Sequence, residues 1–122
     1  MIVEDETLIA MHLETVVVSL GHEVCAVATT AAGAVARAAE CCPDVTVMDI
    51  RLADGSSGID AAREMYSRQS LRCIFLSANL DEATRKTLRG CEPIAFVSKP
   101  VSTLALQRAL EHPSLPRRFH AV

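Results

Sequence analysis

The chain has 122 residues, a length that suits about one compact domain. Half of the residues are hydrophobic but only 3% are aromatic, so disorder is not expected and a core must be mostly aliphatic. The formal net charge of −3 argues against a nucleic-acid surface. No apolar run reaches the ~18 residues of a membrane helix, and the opening MIVEDE lacks signal-peptide features, so we expect a cytoplasmic protein with no membrane contact.

The five cysteines form no recognisable metal or disulfide pattern. Their odd number and the lack of a C-x-x-C motif argue against a disulfide framework. We expect them to be small buried hydrophobic residues in a reducing compartment, with a redox role as the weaker alternative. They are Cys25, Cys41, Cys42, Cys73 and Cys91.

Short β-branched runs alternate along the chain with stretches of helical periodicity. In chain order, the strands are predicted at residues 1–3, 23–28, 45–49, 72–77 and 94–98. The helices between and after them are predicted within residues 4–21, 31–42, 59–69, 81–90 and 103–112. Thr30 is a candidate N-cap of the second helix, and Ser102 or Thr103 of the last. This alternation predicts an α/β fold with a doubly wound parallel sheet and helices on both faces.

Polar residues follow the apolar runs at four of the predicted strand ends. Glu4 and Asp5 follow the first strand, Asp49 the third, Ser77 the fourth and Lys99 the fifth. Because the carboxyl ends of parallel strands share one edge of the sheet, these side chains should converge there. Three neighbouring carboxylates repel one another unless a cation neutralises them, and oxygen-only ligation suits Mg²⁺ or Mn²⁺.

Asp49 could then act as a nucleophile toward phosphorus and form an acyl phosphate. Lys99 and the Ser77 hydroxyl could stabilise the phosphoryl oxygens. The stretches that carry these residues are VEDE, VMDIRLADG, FLSAN and AFVSKP. Together, and in this order, they resemble the receiver domain of two-component response regulators. The resemblance covers residues 1–112 and implies a five-stranded flavodoxin-like sheet of order 2-1-3-4-5 with five helices, followed by a flexible tail at 113–122.

The resemblance implies specific roles at the acidic site. Asp49 would accept a phosphoryl group from a histidine kinase or a histidine phosphotransfer protein. Glu4, Asp5, Asp49 and the backbone carbonyl of Arg51 would hold Mg²⁺ or Mn²⁺. The domain would be a signalling module that assists its own phosphorylation and dephosphorylation, not an enzyme with a separate substrate.

The resemblance also implies a switch. Lys99 would contact the phosphoryl group, Ser77 would swing toward it, and Phe96 would move inward. The Lys99-Pro100 peptide bond is commonly cis in this family. Arg51 and Asn79 lie two residues beyond the acceptor and the hydroxyl, where they should flank the path of a hydrolytic water and set the phosphate lifetime.

The region after Asp49 departs from many receivers. The stretch RLADGSSGID is long and polar, and it resembles a subgroup found alone or beside stress-response output modules. The stretch DEATRKTLRG has only Leu88 as a large aliphatic residue, which suits a reversible contact. We therefore expect a monomer or weak dimer with an unknown downstream protein target and no direct nucleic-acid contact.

Two other functions remain open at this stage. The chain could be a phosphorylation-independent protein-interaction module with a receiver fold. A nucleotide-binding or haloacid-dehalogenase-type enzyme has less support, because no Gly-rich loop follows the first strand and Arg51 stands where the dehalogenase type would have a second aspartate.

Overall fold

The structure is a computed structural model that describes residues 1–52 and 54–116. Five parallel strands form a single sheet of order β2-β1-β3-β4-β5. The strands are β1 (Ile2–Val3), β2 (Val27–Ala28), β3 (Thr46–Asp49), β4 (Cys73–Ser77) and β5 (Ala95–Ser98). The helices are α1 (Thr7–Ser19), α2 (Ala31–Cys41), α3 (Gly58–Gln69), α4 (Glu82–Leu88) and α5 (Thr103–Leu110), and a 3₁₀ turn (Arg89–Cys91) follows α4. The predicted fold class and strand order are confirmed.

Alternation along the strands divides the core into two layers. Ile2, Val47 and Ile74 belong to one buried cluster, together with apolar residues of α1 and α5. Val3, Met48 and Phe75 belong to the other, together with residues of α2, α3 and α4. Successive side chains of a strand point to opposite faces of a sheet, so these short strands cover both faces with apolar surface.

The helix starts are explained by local capping. Thr30 accepts a hydrogen bond from the Gly33 N–H, and Ser102 accepts one from the Ala105 N–H. Each bond satisfies a backbone donor that the first helical turn leaves free. Thr30 is thus confirmed as an N-cap, and of the two candidates for the last helix it is Ser102 that caps.

Two sequence expectations were wrong. The second strand, predicted at residues 23–28, is reduced to Val27–Ala28 because its only partner, β1, is itself two residues long. The cysteines are not uniformly buried either: Cys73 and Cys91 are buried, but Cys25 and Cys42 are exposed and Cys41 is half-buried. Cys25, Cys41 and Cys42 line a cleft near the amino-terminal ends of the strands, which explains why they are not fully buried.

The C-terminal segment is described only as far as Pro116. Leu115 packs against the core layer that contains α5, and the Arg72 guanidinium donates a hydrogen bond of 2.7 Å to the Ser114 hydroxyl. The remaining part of the predicted flexible tail, residues 117–122, lies outside the described residues. No helix in the described part of the chain is long and apolar enough to cross a membrane.

Candidate phosphoacceptor site

Asp49 is the last residue of β3, and its side chain is buried, with a residue exposure of 5%. Its Oδ1 accepts a hydrogen bond of 3.2 Å from the Arg51 N–H. The chain then loops outward and returns, so that the Gly58 N–H bonds to the Ile50 carbonyl at 2.9 Å. A Cβ on Gly58 would lie 2.2 Å from the Asp49 carbonyl oxygen. Only glycine lets the start of α3 pass this close to the strand end.

Lys99 follows β5 and bridges two of the acids. Its Nζ lies 2.9 Å from Asp49 Oδ2 and 3.1 Å from Glu4 Oε1. Burial lowers the pKa of Lys99, but its hydrogen bonds to Asp49 and Glu4 outweigh that effect, and the net pKa lies above its ordinary value. Lys99 therefore stays protonated and neutralises part of the acidic cluster. The Lys99-Pro100 peptide bond is cis, as the resemblance to the receiver family implied.

Glu4 lies at the end of β1 and is only 1% exposed. Its Oε2 also accepts a hydrogen bond of 3.3 Å from the Glu6 N–H. Burial, followed by the hydrogen bond with Asp49, raises the pKa of Glu4 to about 7, although Lys99 opposes the shift. One ammonium does not fully compensate for the crowded carboxylates.

The three predicted metal-binding acids converge. One carboxylate oxygen from each of Glu4, Asp5 and Asp49 lies within 4.8 Å of the others. With all three ionised and Lys99 protonated, the cluster would carry a charge of −2, which a divalent cation would balance. Oxygen-only donors with partial exposure fit Mg²⁺ or Mn²⁺, which keep some of their water ligands in proteins. The Arg51 carbonyl as a further ligand stays a prediction.

Ser77 is placed at the same edge. A cleft of about 320 Å³ is lined by residues that include Asp5, Asp49, Ser77, Asn79 and Lys99. At about 30 Å³ per water, this space accommodates a phosphoryl group together with several waters. The Ser77 hydroxyl accepts a hydrogen bond of 3.2 Å from the Asn79 N–H.

Phe96 lies behind this edge, against α4. Its ring stacks on the buried Phe75 ring at a centroid distance of 5.6 Å, and the Arg85 guanidinium lies 4.9 Å from the Phe96 centroid. Sequence reasoning missed Arg85, because only the fold places it over the ring.

Comparisons with known proteins identify the family of this chain. The family model for the response regulator receiver domain matches residues 1–111. The chain belongs to the response regulator receiver family. Receiver domains of this family are signalling modules of two-component systems.

Three relatives of this receiver are informative. The phyllosphere-induced regulator PhyR of Methylorubrum extorquens is 42% identical over 82% of this chain and 37% of its own length. A crystal structure of the anti-anti-sigma factor PhyR from Bartonella quintana is 37% identical, with a TM-score of 0.73 over 89% of this chain and 44% of that one. A receiver domain of a diguanylate cyclase from Desulfovibrio desulfuricans is 31% identical, with a TM-score of 0.81 over 90% and 87%.

The receiver spans well under two thirds of the first curated relatives it matches. It covers 37% of the PhyR sequence and 54% of the sequence of PdtaR, a transcriptional regulatory protein of Mycobacterium tuberculosis. Most of the PhyR sequence and nearly half of the PdtaR sequence therefore lie outside the matched region.

Proposed function

We propose that this receiver is a phosphoacceptor in which Asp49 takes a phosphoryl group from a phosphohistidine. A carboxylate oxygen of Asp49 forms the new O–P bond, the P–N bond breaks, and the released imidazole takes up a proton. The proposal rests chiefly on the hydrogen bond of 2.9 Å between Lys99 Nζ and Asp49 Oδ2 at the mouth of the cleft. That contact orients the nucleophilic carboxylate and gives it a cationic partner.

The neighbouring residues divide the remaining tasks. Lys99 would move its contact from Asp49 to an oxygen of the incoming phosphoryl group, and Ser77 would donate its hydroxyl to another. Preorganised donors of this kind stabilise charge that develops during transfer. Glu4, Asp5, Asp49 and the Arg51 carbonyl would hold Mg²⁺, which supplies positive charge against the phosphoryl oxygens when bound.

Phosphorylation would then switch the binding of a partner. If Ser77 turns toward the phosphoryl group, Phe96 can follow, and Arg85 loses the ring face on which it lies. This change would reach the surface of α4, where a protein could read it. Arg51 and Asn79 flank the cleft and would set how fast water removes the phosphoryl group.

The donor is proposed to be a histidine kinase or a histidine phosphotransfer protein in the cytoplasm. The Bartonella relative is described as an anti-anti-sigma factor. By analogy, we expect the downstream target of this receiver to be a protein and not DNA, with the receiver a monomer or weak dimer.

The test is phosphorylation by a small donor such as phosphoramidate. Intact-mass spectrometry should detect the gain of one phosphoryl group with Mg²⁺, no gain with a chelator, and no gain in Asp49→Ala. Asp60→Ala is the matched control, because Asp60 is an exposed acid in the first turn of α3. A gain that survives in Asp49→Ala would disprove the proposal.

The second candidate is a phosphorylation-independent interaction module. The relatives' names leave room for it, because they describe regulators without stating how each is switched. If wild type acquires no phosphoryl group under any of these conditions yet still binds a partner protein, this candidate replaces the first.

A further inference from the structure

A cluster of thiols lies at the opposite edge of the sheet from the acidic site. Cys25 precedes β2, Cys41 is the last residue of α2, and Cys42 follows it. All three line an open cleft of about 210 Å³ at the amino-terminal ends of the strands. The phosphoacceptor function uses none of them.

Cys41 lies directly against Cys25. The Cys41 thiol donates a hydrogen bond of 3.6 Å to the Cys25 carbonyl oxygen. Cys42 points elsewhere, since its Sγ lies 3.9 Å from the Ala39 carbonyl oxygen. The pairing is therefore selective between two adjacent cysteines.

The other two cysteines are out of reach. Cys73 and Cys91 are buried in the core, and burial raises the pKa of Cys73 to about 12. A thiol in that state is inert toward oxidants. Cys25 is exposed and Cys41 is half-buried, so a small reagent that enters the cleft can reach both thiols.

We propose that Cys25 and Cys41 form a reversible disulfide when the protein meets a low-molecular-weight disulfide such as oxidised glutathione. The Cys25 sulfur gives up its proton and attacks the reagent, whose S–S bond breaks and releases one thiolate, which takes a proton. The Cys41 sulfur, also deprotonated, then attacks Cys25 and releases the second thiol. Two protein thiols are oxidised and one external disulfide is reduced to two thiols.

The bond would tie the approach to the edge strand β2 to the end of α2. These segments are 16 residues apart in sequence. Closing a loop of this size restricts the unfolded chain, so the oxidised protein should resist unfolding more than the reduced protein. Because β2 is an edge strand that pairs over only two residues, a covalent tie there would reinforce a weakly held part of the sheet.

The pair is set up for slow oxidation. Burial raises the pKa of the Cys25 thiol, although the nearby Met1 ammonium opposes the shift. The reactive thiolate is therefore scarce at neutral pH, and oxidation should require sustained exposure to millimolar disulfide, not a brief pulse.

The experiment is incubation of the full chain with oxidised glutathione, followed by alkylation of the remaining thiols and peptide mapping. The expected product is a monomer that has lost two hydrogens and carries a Cys25–Cys41 link, reversed by dithiothreitol. Cys42→Ser should form the same link, whereas Cys25→Ser and Cys41→Ser should not. The oxidised wild type should unfold at a temperature higher by roughly 5–10 °C.

Three results would overturn the proposal: a link from Cys25 to Cys42, a link between two chains as the main product, or stable glutathione adducts without a link. Mapping of wild type gives the answer even if a serine variant does not fold. Phosphorylation of Asp49 plays no part in the measurement, so the outcome is independent of the proposed function.

Discussion

Strand β3 buries a polar side chain at each end, and the two side chains differ in their hydrogen-bond partners. Thr46 at the start is fully buried, and its hydroxyl has no hydrogen-bond partner among the described residues. Asp49 at the other end has both carboxylate oxygens bound, one by the Arg51 N–H and one by Lys99. A neutral hydroxyl can be left unsatisfied at a cost of about 1–3 kcal/mol, whereas an unpaired buried charge costs far more. The charged end therefore depends on its two donors, the Arg51 N–H and the Lys99 ammonium.

The largest effect is expected from Gly58→Ala, which disturbs the backbone packing at the Asp49 end of β3. The added methyl group would meet the Asp49 carbonyl oxygen at 2.2 Å, and backbone cannot move aside as a side chain can. We expect a loss of about 3 kcal/mol in unfolding free energy by urea denaturation. Gly90→Ala is the matched control, since a Cβ there has nothing within 4 Å. Equal effects of the two changes would contradict the close approach.

The next effect is expected from Lys99→Met, which removes the ammonium and leaves Glu4 and Asp49 facing each other. Breaking a buried ion pair costs about 3–5 kcal/mol, and the partial exposure of Lys99 reduces this to about 2 kcal/mol at pH 8 without Mg²⁺. Lys86→Met on the exposed surface of α4 is the control. Denaturation curves at pH 8 that coincide with wild type would show that the pair does not support the fold.

Glu4→Gln should change how stability depends on pH. The pKa of Glu4 is about 7 in the folded protein and 4.5 ordinarily, so the folded state holds a proton that the unfolded chain has lost. Wild-type stability should therefore fall as pH rises from about 4.5 through 7. We expect Glu4→Gln to be about 2 kcal/mol more stable than wild type at pH 8 with a chelator, and similar near pH 4.5.

Glu14→Gln, an exposed change on α1, is the control for that pH profile. Addition of Mg²⁺ at pH 8 should reduce the advantage of Glu4→Gln, because a cation would favour the ionised acid in wild type. A wild-type stability that rises steadily between pH 5 and 7 in the chelator, with Glu4→Gln following it, would contradict the assigned burial cost.

At the other end of β3, Thr46→Val should stabilise the protein. The two side chains have nearly the same shape, and valine removes a buried hydroxyl that has no partner. The expected gain is about 1 kcal/mol by denaturant unfolding. Thr15→Val is the control, because the Thr15 hydroxyl donates to the Met11 carbonyl at 2.9 Å on an exposed helix face. A destabilised Thr46→Val would mean that the hydroxyl has a partner after all.

The smallest effect is expected from Arg51→Asn, which changes an exposed side chain beside the cleft and none of the side-chain partners of Asp49. Arg51 is exposed and bulky beside the cleft, and we expect it to hinder an attacking water. Loss of the phosphoryl group should become faster by a factor of about 5, equivalent to about 1 kcal/mol. Arg37→Asn on α2 is the control, and an unchanged or slower rate in Arg51→Asn would reject the idea.

Much of this contrast could be predicted from the sequence, because strand periodicity places Asp49, Glu4, Asp5 and Lys99 at one edge. What escaped prediction depends on contacts between distant segments. The sequence alone does not distinguish Gly58 from an ordinary loop glycine. The short length of β2 reflects the short length of its partner β1, which the residues of β2 do not reveal. The exposed thiols were missed because cysteine is usually buried, and only the open end of the sheet makes Cys25 accessible.

The stacked pair Phe75 and Phe96 has a consequence for the outer surface of the receiver. The Phe96 ring stacks on Phe75, and the Arg85 guanidinium lies over the same Phe96 ring. Phe96 therefore contacts both the buried core and an arginine of α4. If the Phe96 ring moves inward, the Arg85 guanidinium loses its contact with the ring and turns to solvent or to a nearby acidic group. The position of the Phe96 side chain therefore controls the distribution of positive charge on the surface of α4.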